Sequence, residues 1–196
     1  MKTFIISDHH FGHANILKFK NDEGGLIRPQ FSCVQEMNEY MIEMWNSVVT
    51  DDDKVYHLGD FQMSASTNRF IELISKLKGR KELILGNHDE VNINVLKEHF
   101  KKVRASKILK IADKKVLLTH VPAHPASVFN GYNLHGHTHQ RIIPDKRYIN
   151  VCVEHWDYTP IDINIIGKII KEREECNCNY QYNIDSFGNV RYKLVI

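Results

Sequence analysis

Short apolar runs rich in β-branched residues recur along the chain, each bounded by polar or turn-forming residues. Residues 2–7, 54–58, 82–85, 115–119, 132–135 and 148–153 have this character and are predicted as strands. Residues 103–111 add one or two more around Ala105-Ser106. Elsewhere the apolar period lengthens. Val34, Met37, Met41, Met44, Trp45 and Val48 line one face of a helix over residues 34–49, with Ser32 and Gln35 in a capping-box pattern before it. Phe70, Ile71, Ile74 and Leu77 predict a second helix over residues 68–77, with Gly79 as its stop. Thr159-Pro160 offers a hydroxyl cap and then a proline for the first helical position, predicting a helix to about residue 174 that Gly167 weakens. The segment 179–196 alternates on both sides of Asp185-Ser186-Phe187-Gly188-Asn189 and predicts a hairpin.

Strands that alternate with helices in the first half indicate an α/β class. The strands crowded after residue 103 predict a second, more antiparallel sheet. The expected architecture is two sheets packed face to face, flanked by helices. With no repeat, long linker or low-complexity stretch, residues 1–196 are read as one domain.

Composition narrows the function. Lys plus Arg is 26 and Asp plus Glu is 24, a formal charge of +2. That balance argues against an acidic tail or a basic stripe for duplex nucleic acid, though not against a local basic patch. Apolar runs are too short to span a bilayer, and Asp8 comes too early for a signal peptide. A cytoplasmic protein with no membrane partner is therefore expected. The four cysteines, Cys33, Cys152, Cys176 and Cys178, form no pair of Cys-x-x-Cys units and are expected to be free thiols, with Cys176-Asn177-Cys178 read as a polar loop.

Histidine stands out with 12 copies, several beside Asp, Asn and Gly. Five consecutive strand-like runs end in residues that ligate metals: Asp8-His9-His10, His57-Leu58-Gly59-Asp60, Gly86-Asn87-His88-Asp89, Thr119-His120 and Gly136-His137-Thr138-His139. Ligands in α/β sheets bind at the carboxyl ends of strands, so these residues can converge on one pocket. Two divalent cations about 3.5–4 Å apart neutralise a phosphate ester and acidify a water between them. Imidazole and carboxylate suit zinc, manganese, iron or nickel, and Asn87 adds a neutral oxygen. The glycines before Asp60, Asn87 and His137 are read as permitting sharp turns. Each motif alone is weak; the ordered set is specific.

Together, Asp8-x-His10, Gly59-Asp60, Gly86-Asn87-His88-Asp89, His120 and Gly136-His137-x-His139 resemble the five motifs of the calcineurin-like metallophosphoesterases. The opening Ile6-Ser7-Asp8-x-His10-Phe11-Gly12-His13-x-Asn15-Ile16 and the later Asn150-Val151-x-Val153-Glu154-x-Trp156-x-Tyr158-x-Pro160 are similar to a small bacterial and phage branch of that family. The resemblance implies a two-sheet α/β sandwich. It implies that Asp8, His10 and His139 hold one metal, that Asn87, His120 and His137 hold the other, and that Asp60 bridges them. His88 would protonate or stabilise the leaving oxygen, and Asp89 would orient His88. The expected cofactors are two divalent ions, manganese first, with iron, zinc or nickel as alternatives.

Other positions carry weaker signals. His13, Asn15 and Arg28 are candidate substrate contacts, against a loop or cap role for the first two and a solvated side chain for Arg28. His57 is read as core and His9 as the residue between two ligands. His99, His124, His135 and His155 are read as structural, Trp156 and Tyr158 as packing against a sheet, and Arg141, Lys146 and Arg147 as solvated. The expected activity is hydrolysis of a phosphate ester. A phosphodiester such as a nucleotide is favoured because no large accessory domain closes the pocket. The alternatives are a phosphomonoesterase, a nuclease acting on nucleic-acid ends, and, from another class, a non-catalytic metal-binding scaffold. Oligomeric state is not legible.

Overall fold

In the computed structural model, which describes residues 1–128, 130–176, 180–184 and 190–194, the first apolar run becomes β1 (Thr3–Ile6). Its residues serve two cores: Phe4 and Ile6 face a cluster with the helices, and Ile5 faces one between the sheets. Being covered on both faces explains why the run is continuously apolar rather than alternating. The same division holds for Val55 and Tyr56 in β2 (Lys54–His57) and for Leu83 and Ile84 in β3 (Arg80–Ile84).

Residues 103–111 split into β4 (Lys102–Arg104) and β5 (Lys107–Ile111). Ala105-Ser106 is where the chain leaves one sheet for the other. The first sheet has the order β4-β3-β2-β1-β9, parallel throughout except for antiparallel β9 (Ile161–Asp162). The second, in the order β5-β6-β7-β8, adds β6 (Lys114–Leu118), β7 (Tyr132–His135) and β8 (Tyr148–Asn150). Only β5 and β6 pair antiparallel; β6, β7 and β8 run parallel. The second sheet, expected to be the more antiparallel of the two, thus has a single antiparallel pairing. The chain returns between β6 and β7 through a short helix at Pro125–Val128, and between β7 and β8 through a long loop, as parallel pairing requires.

Helices α1 (Val34–Val48), α2 (Thr67–Lys76) and α3 (Ile93–His99) cover the outer face of the first sheet with Met37, Met41, Trp45, Phe70, Leu73 and Leu96. Burying each such side chain is worth about 1.5–3 kcal/mol. The cap before α1 differs from the predicted box: Cys33 is the N-cap residue, and Ser32 donates through its N–H and hydroxyl to Glu36 rather than to Gln35. The helix Ile163–Cys176 follows α3 and the Pro125–Val128 turn, which make it α5 with that turn as α4. Thr159-Pro160 does not start α5. Ile161 is buried against Ile5 in the sheet, and that pairing delays the helix until Asp162 can accept from the N–H of Asn164. Ile166, Ile169 and Ile170 of α5 join the inter-sheet core, so this helix is not simply an outer layer.

The predicted tail hairpin is present as β10 (Tyr180–Ile184) paired antiparallel with β11 (Val190–Leu194); its turn lies outside the described residues, as does Asn177-Cys178. Beyond β1 the chain keeps the two sheets in register with each other: Ser7 N–H donates to Val151, and Val153 N–H donates to Ser7. Among the described residues, no helix is long and apolar enough to cross a membrane.

Candidate metal centre

The residues that follow β1, β2, β3, β6 and β7 meet at the carboxyl ends of these strands. Ligand-type atoms of Asp8, His10 and His139 lie within 4.8 Å of one another, and those of Asp60, His120 and His137 form a second such cluster. The two abut through Asp60. Its Oδ2 is 3.5 Å from His10 Nε2 and 3.3 Å from His120 Nε2. Asn87 Oδ1 is 2.9 Å from that same His120 nitrogen. All seven predicted ligand positions are therefore gathered at one place.

The atoms present fit a pair of cations. His120 Nδ1–H donates to the Leu58 carbonyl at 2.8 Å, which leaves the Nε2 lone pair aimed at two oxygens that also offer lone pairs. A positive charge at that point, a metal ion or a proton on Nε2, resolves that convergence. Without a metal it is a proton: burial opposes the imidazolium, but Asp60 and Asp8 outweigh it and push His120 up to about 9. Both ring nitrogens of His10 are buried without a hydrogen-bond partner, with Nε2 facing Asp8 and Asp60. Burial resists the charge on Asp8, yet His10, His120 and His139 hold its carboxyl far below the usual range. Imidazole, carboxylate and amide oxygen together suit zinc, manganese, iron or nickel.

The backbone bends sharply to present these groups. Asp8, His10, Asp60, His137 and His139 have φ values of 60°, 50°, 55°, 69° and 47°. The left-handed region costs a non-glycine residue about 1–2 kcal/mol, and five such residues in one pocket mark stored strain of the kind that collects at functional sites. Two glycines serve space rather than the predicted turns. A Cβ on Gly136 would lie 2.2 Å from Asp8 Oδ2, and one on Gly86 would lie 2.2 Å from Asp60 Oδ1. Each carboxylate is gripped by the backbone of another motif: His137 N–H donates to both oxygens of Asp8 at 3.0 and 2.9 Å, and His88 N–H donates to Asp60 Oδ1 at 2.9 Å.

The remaining predicted site residues fall out unevenly. The His88 ring is half-buried and edge-on to His10, 5.6 Å between centroids. Asp89 does not hold that ring. Its carboxylate accepts the backbone N–H groups of Asp60, Phe61 and Gly86 at 3.0, 2.9 and 2.8 Å, so it locks two ligand loops together, and burial raises its pKa. His13 is half-buried, its ring 5.7 Å from that of His10, and burial lowers it to about 4. Asn15 is exposed in a 3-10 helix, Ala14–Lys18.

Arg28 is neither solvated nor available to substrate: it is 0% exposed. Its Nε and Nη2 donate to Glu154 at 3.0 and 2.8 Å, and Nη1 and Nη2 donate to the carbonyls of His9 and Asp8. The guanidinium is drawn in by a buried anion that sequence spacing does not reveal. That anion, Glu154, and Cys152, whose thiol donates to Asp8 Oδ2 at 3.2 Å, are the site residues that sequence reasoning missed. Glu154 had one available signal: it lies inside the segment similar to the phage and bacterial branch.

The other histidines are structural as read. His57 accepts the Gly59 N–H at Nδ1, so its Nε2–H donates to His9 Nδ1 at 2.8 Å, and burial keeps both rings neutral. His155 Nε2–H donates to the His139 carbonyl, and His135 is buried against Tyr148. His99 packs on Phe70, and His124 accepts the Ala126 N–H. Trp156 and Tyr158 are buried in the two cores. Arg141 pairs with Asp22 and Arg147 with Asp145. Beside His137 and His139 opens a groove of about 640 Å³, walled by Lys20, Asn21, Ile27, Gln140 and Arg141.

Comparison with known proteins agrees with this geometry. The calcineurin-like phosphoesterase superfamily domain matches residues 1–153. An uncharacterized protein of Methanocaldococcus jannaschii is 37% identical over 180 residues, 87% of this chain and 92% of the relative. The Gene 66 protein of Mycobacterium phage D29 is 30% identical over 194 residues, 82% of this chain and 92% of its own. The crystal structure of a protein of unknown function from Aquifex aeolicus superposes with a TM-score of 0.65 at 28% identity, covering 86% of this chain and 98% of that one. The chain belongs to the calcineurin-like phosphoesterase superfamily, and with it to the metal-dependent phosphoester hydrolases.

Proposed function

We propose that this protein hydrolyses a phosphodiester of nucleotide size in the cytoplasm, using two divalent cations of which manganese is the first choice. The observation that carries the reading is the Asp60 carboxylate, set between two ligand clusters that each contain two imidazoles. Cations held by Asp8, His10, Asp60, Asn87, His120, His137 and His139 supply charge neutralisation and an acidified water. His88 then has one task, delivering a proton to the leaving oxygen, and its backbone bond to Asp60 fixes where its ring starts. Asp89 keeps the loops of Asp60 and Asn87 in register. His13, whose ring lies beside that of His10, and Asn15 are the candidate phosphate contacts.

The diester preference rests on the open groove beside His137 and His139, which has room for an organic group on the phosphate's far side. Free Cys33 and Cys152 suit a reducing compartment. The test is a pair of chromogenic substrates, one diester and one monoester, with manganese added to metal-stripped protein. Faster turnover of the diester is expected. Faster turnover of the monoester across manganese, zinc and nickel would reverse the preference while leaving the phosphoesterase assignment intact.

A further inference from the structure

Arg28 and Glu154 form an ion pair with side chains 0% and 2% exposed. Buried pairs of this kind are costly to desolvate, and an apolar replacement is often at least as stable, so they are poor devices for stability alone. What distinguishes this pair is where its remaining bonds go. Glu154 Oε1 accepts from His139 Nδ1–H at 3.0 Å, in addition to its two bonds from Arg28. That bond selects the tautomer of His139 whose Nε2 lone pair is free to ligate. The guanidinium meanwhile donates to the Asp8 carbonyl at 2.7 Å and to the His9 carbonyl at 2.8 Å. Those carbonyls lie in the turn that presents Asp8 and His10, both of which have left-handed φ values.

One buried cation therefore ties together all three members of the Asp8, His10 and His139 cluster, although they come from the first and last motifs. The other cluster is held by different groups. His120 is fixed by the Leu58 carbonyl, and Asp60 by the N–H of His88.

We propose that Arg28 and Glu154 are positioning residues that set the affinity of the metal position built from Asp8, His10 and His139, independently of the one built from Asn87, His120 and His137. The proposal rests on the dinuclear reading of the site. It goes further in assigning one pair of side chains to one of two metal positions, and it predicts an unequal loss rather than a general one. Removing such an outer partner of a ligating histidine typically costs about 10–100-fold in metal affinity.

The experiment titrates manganese into metal-stripped wild type, Glu154→Ala, Glu154→Gln and Arg28→Lys. Bound metal is counted after gel filtration, and paired and isolated manganese are distinguished by electron paramagnetic resonance. Wild type should hold two ions per chain with a coupled spectrum. Glu154→Ala should hold one, with an uncoupled spectrum, at manganese concentrations that saturate wild type. The second ion and the coupling should return only at about 10–100-fold higher manganese. Glu154→Gln keeps an oxygen that can accept from His139, and it should recover part of the loss. Arg28→Lys should weaken the same position.

Two tight ions in every variant would overturn the proposal, as would equal weakening of both positions in Glu154→Gln with unchanged melting. Fewer than two ions in wild type would instead overturn the dinuclear reading itself.

Discussion

Replacing Gly136 by alanine tests how the carboxylate of Asp8 is held. The added Cβ would stand 2.2 Å from Asp8 Oδ2 and 2.6 Å from Ser7 Oγ. A carbon and an oxygen in ordinary contact are roughly 1 Å farther apart, so either the backbone at residue 136 or the carboxylate must move by about that much. Neither has room. Asp8 is fully buried, and its oxygens are bound by the His137 N–H and the Cys152 thiol. Hydrogen bonds to a charged group are worth about 1.5–3 kcal/mol, and overpacking a filled interior costs about 1–3 kcal/mol. Losing one such bond and accepting some overpacking gives about 3 kcal/mol. For a chain of this size that lowers the melting temperature by about 6–12 °C. Scanning calorimetry in chelator measures it directly, and metal content of the reloaded variant should fall together with stability. Gly24→Ala is the control: its Cβ would meet nothing within 4 Å, so only the φ of +84° opposes it. If Gly136→Ala melts within about 2 °C of wild type and binds metal normally, the close approach of residue 136 to Asp8 is wrong.

Further outcomes are expected. Asp60→Ala should bind neither ion tightly, because its carboxylate faces both clusters; elemental analysis after desalting decides this. His88→Ala should keep near-normal metal content but lose about 10²–10⁴-fold in rate, as expected for loss of a proton donor, and loss of metal instead would refute its role. His120 gives a pH signature in metal-free protein. Its folded pKa of about 9 exceeds the ordinary 6.5, so the folded state holds the proton more tightly. The stability from that proton is fully present below pH 6.5 and is lost as pH rises through 9. Melting in chelator should therefore fall across that window more steeply than in a His120→Gln variant.

The ligand set was legible because each member ends an apolar run. Strand polarity alone carries Asp8, Asp60, Asn87, His120 and His137 to one edge. The outer partners were not legible, since their roles depend on which atoms surround them after folding. Arg28 reads as a solvated side chain until Glu154, 126 residues further along the chain, is placed against it. Asp89 reads as the orienter of its neighbour His88, but three backbone N–H groups claim its oxygens first. The same competition decided the elements. Thr159-Pro160 is a sound helix start that lost to the burial of Ile161 beside Ile5. Helix α3 was not legible because it is only about two turns long and buries only Leu96, leaving no apolar stripe to read beside its Asn92 cap.

The bonds from Ser7 to Val151 and Val153 make the pocket a seam. Asp8, His10 and Asp60 hang from one sheet, while His120, His137 and His139 hang from the other, so both clusters straddle the join. The separation of their donors is thus governed by the thickness of the layer of Leu58, Ile84, Leu118, Leu134 and Ile149 packed beneath. Rim loops such as the one bearing Lys20 and Asn21 can be remodelled for a new substrate with the donor spacing untouched. The sandwich filling acts as the gauge block of the centre.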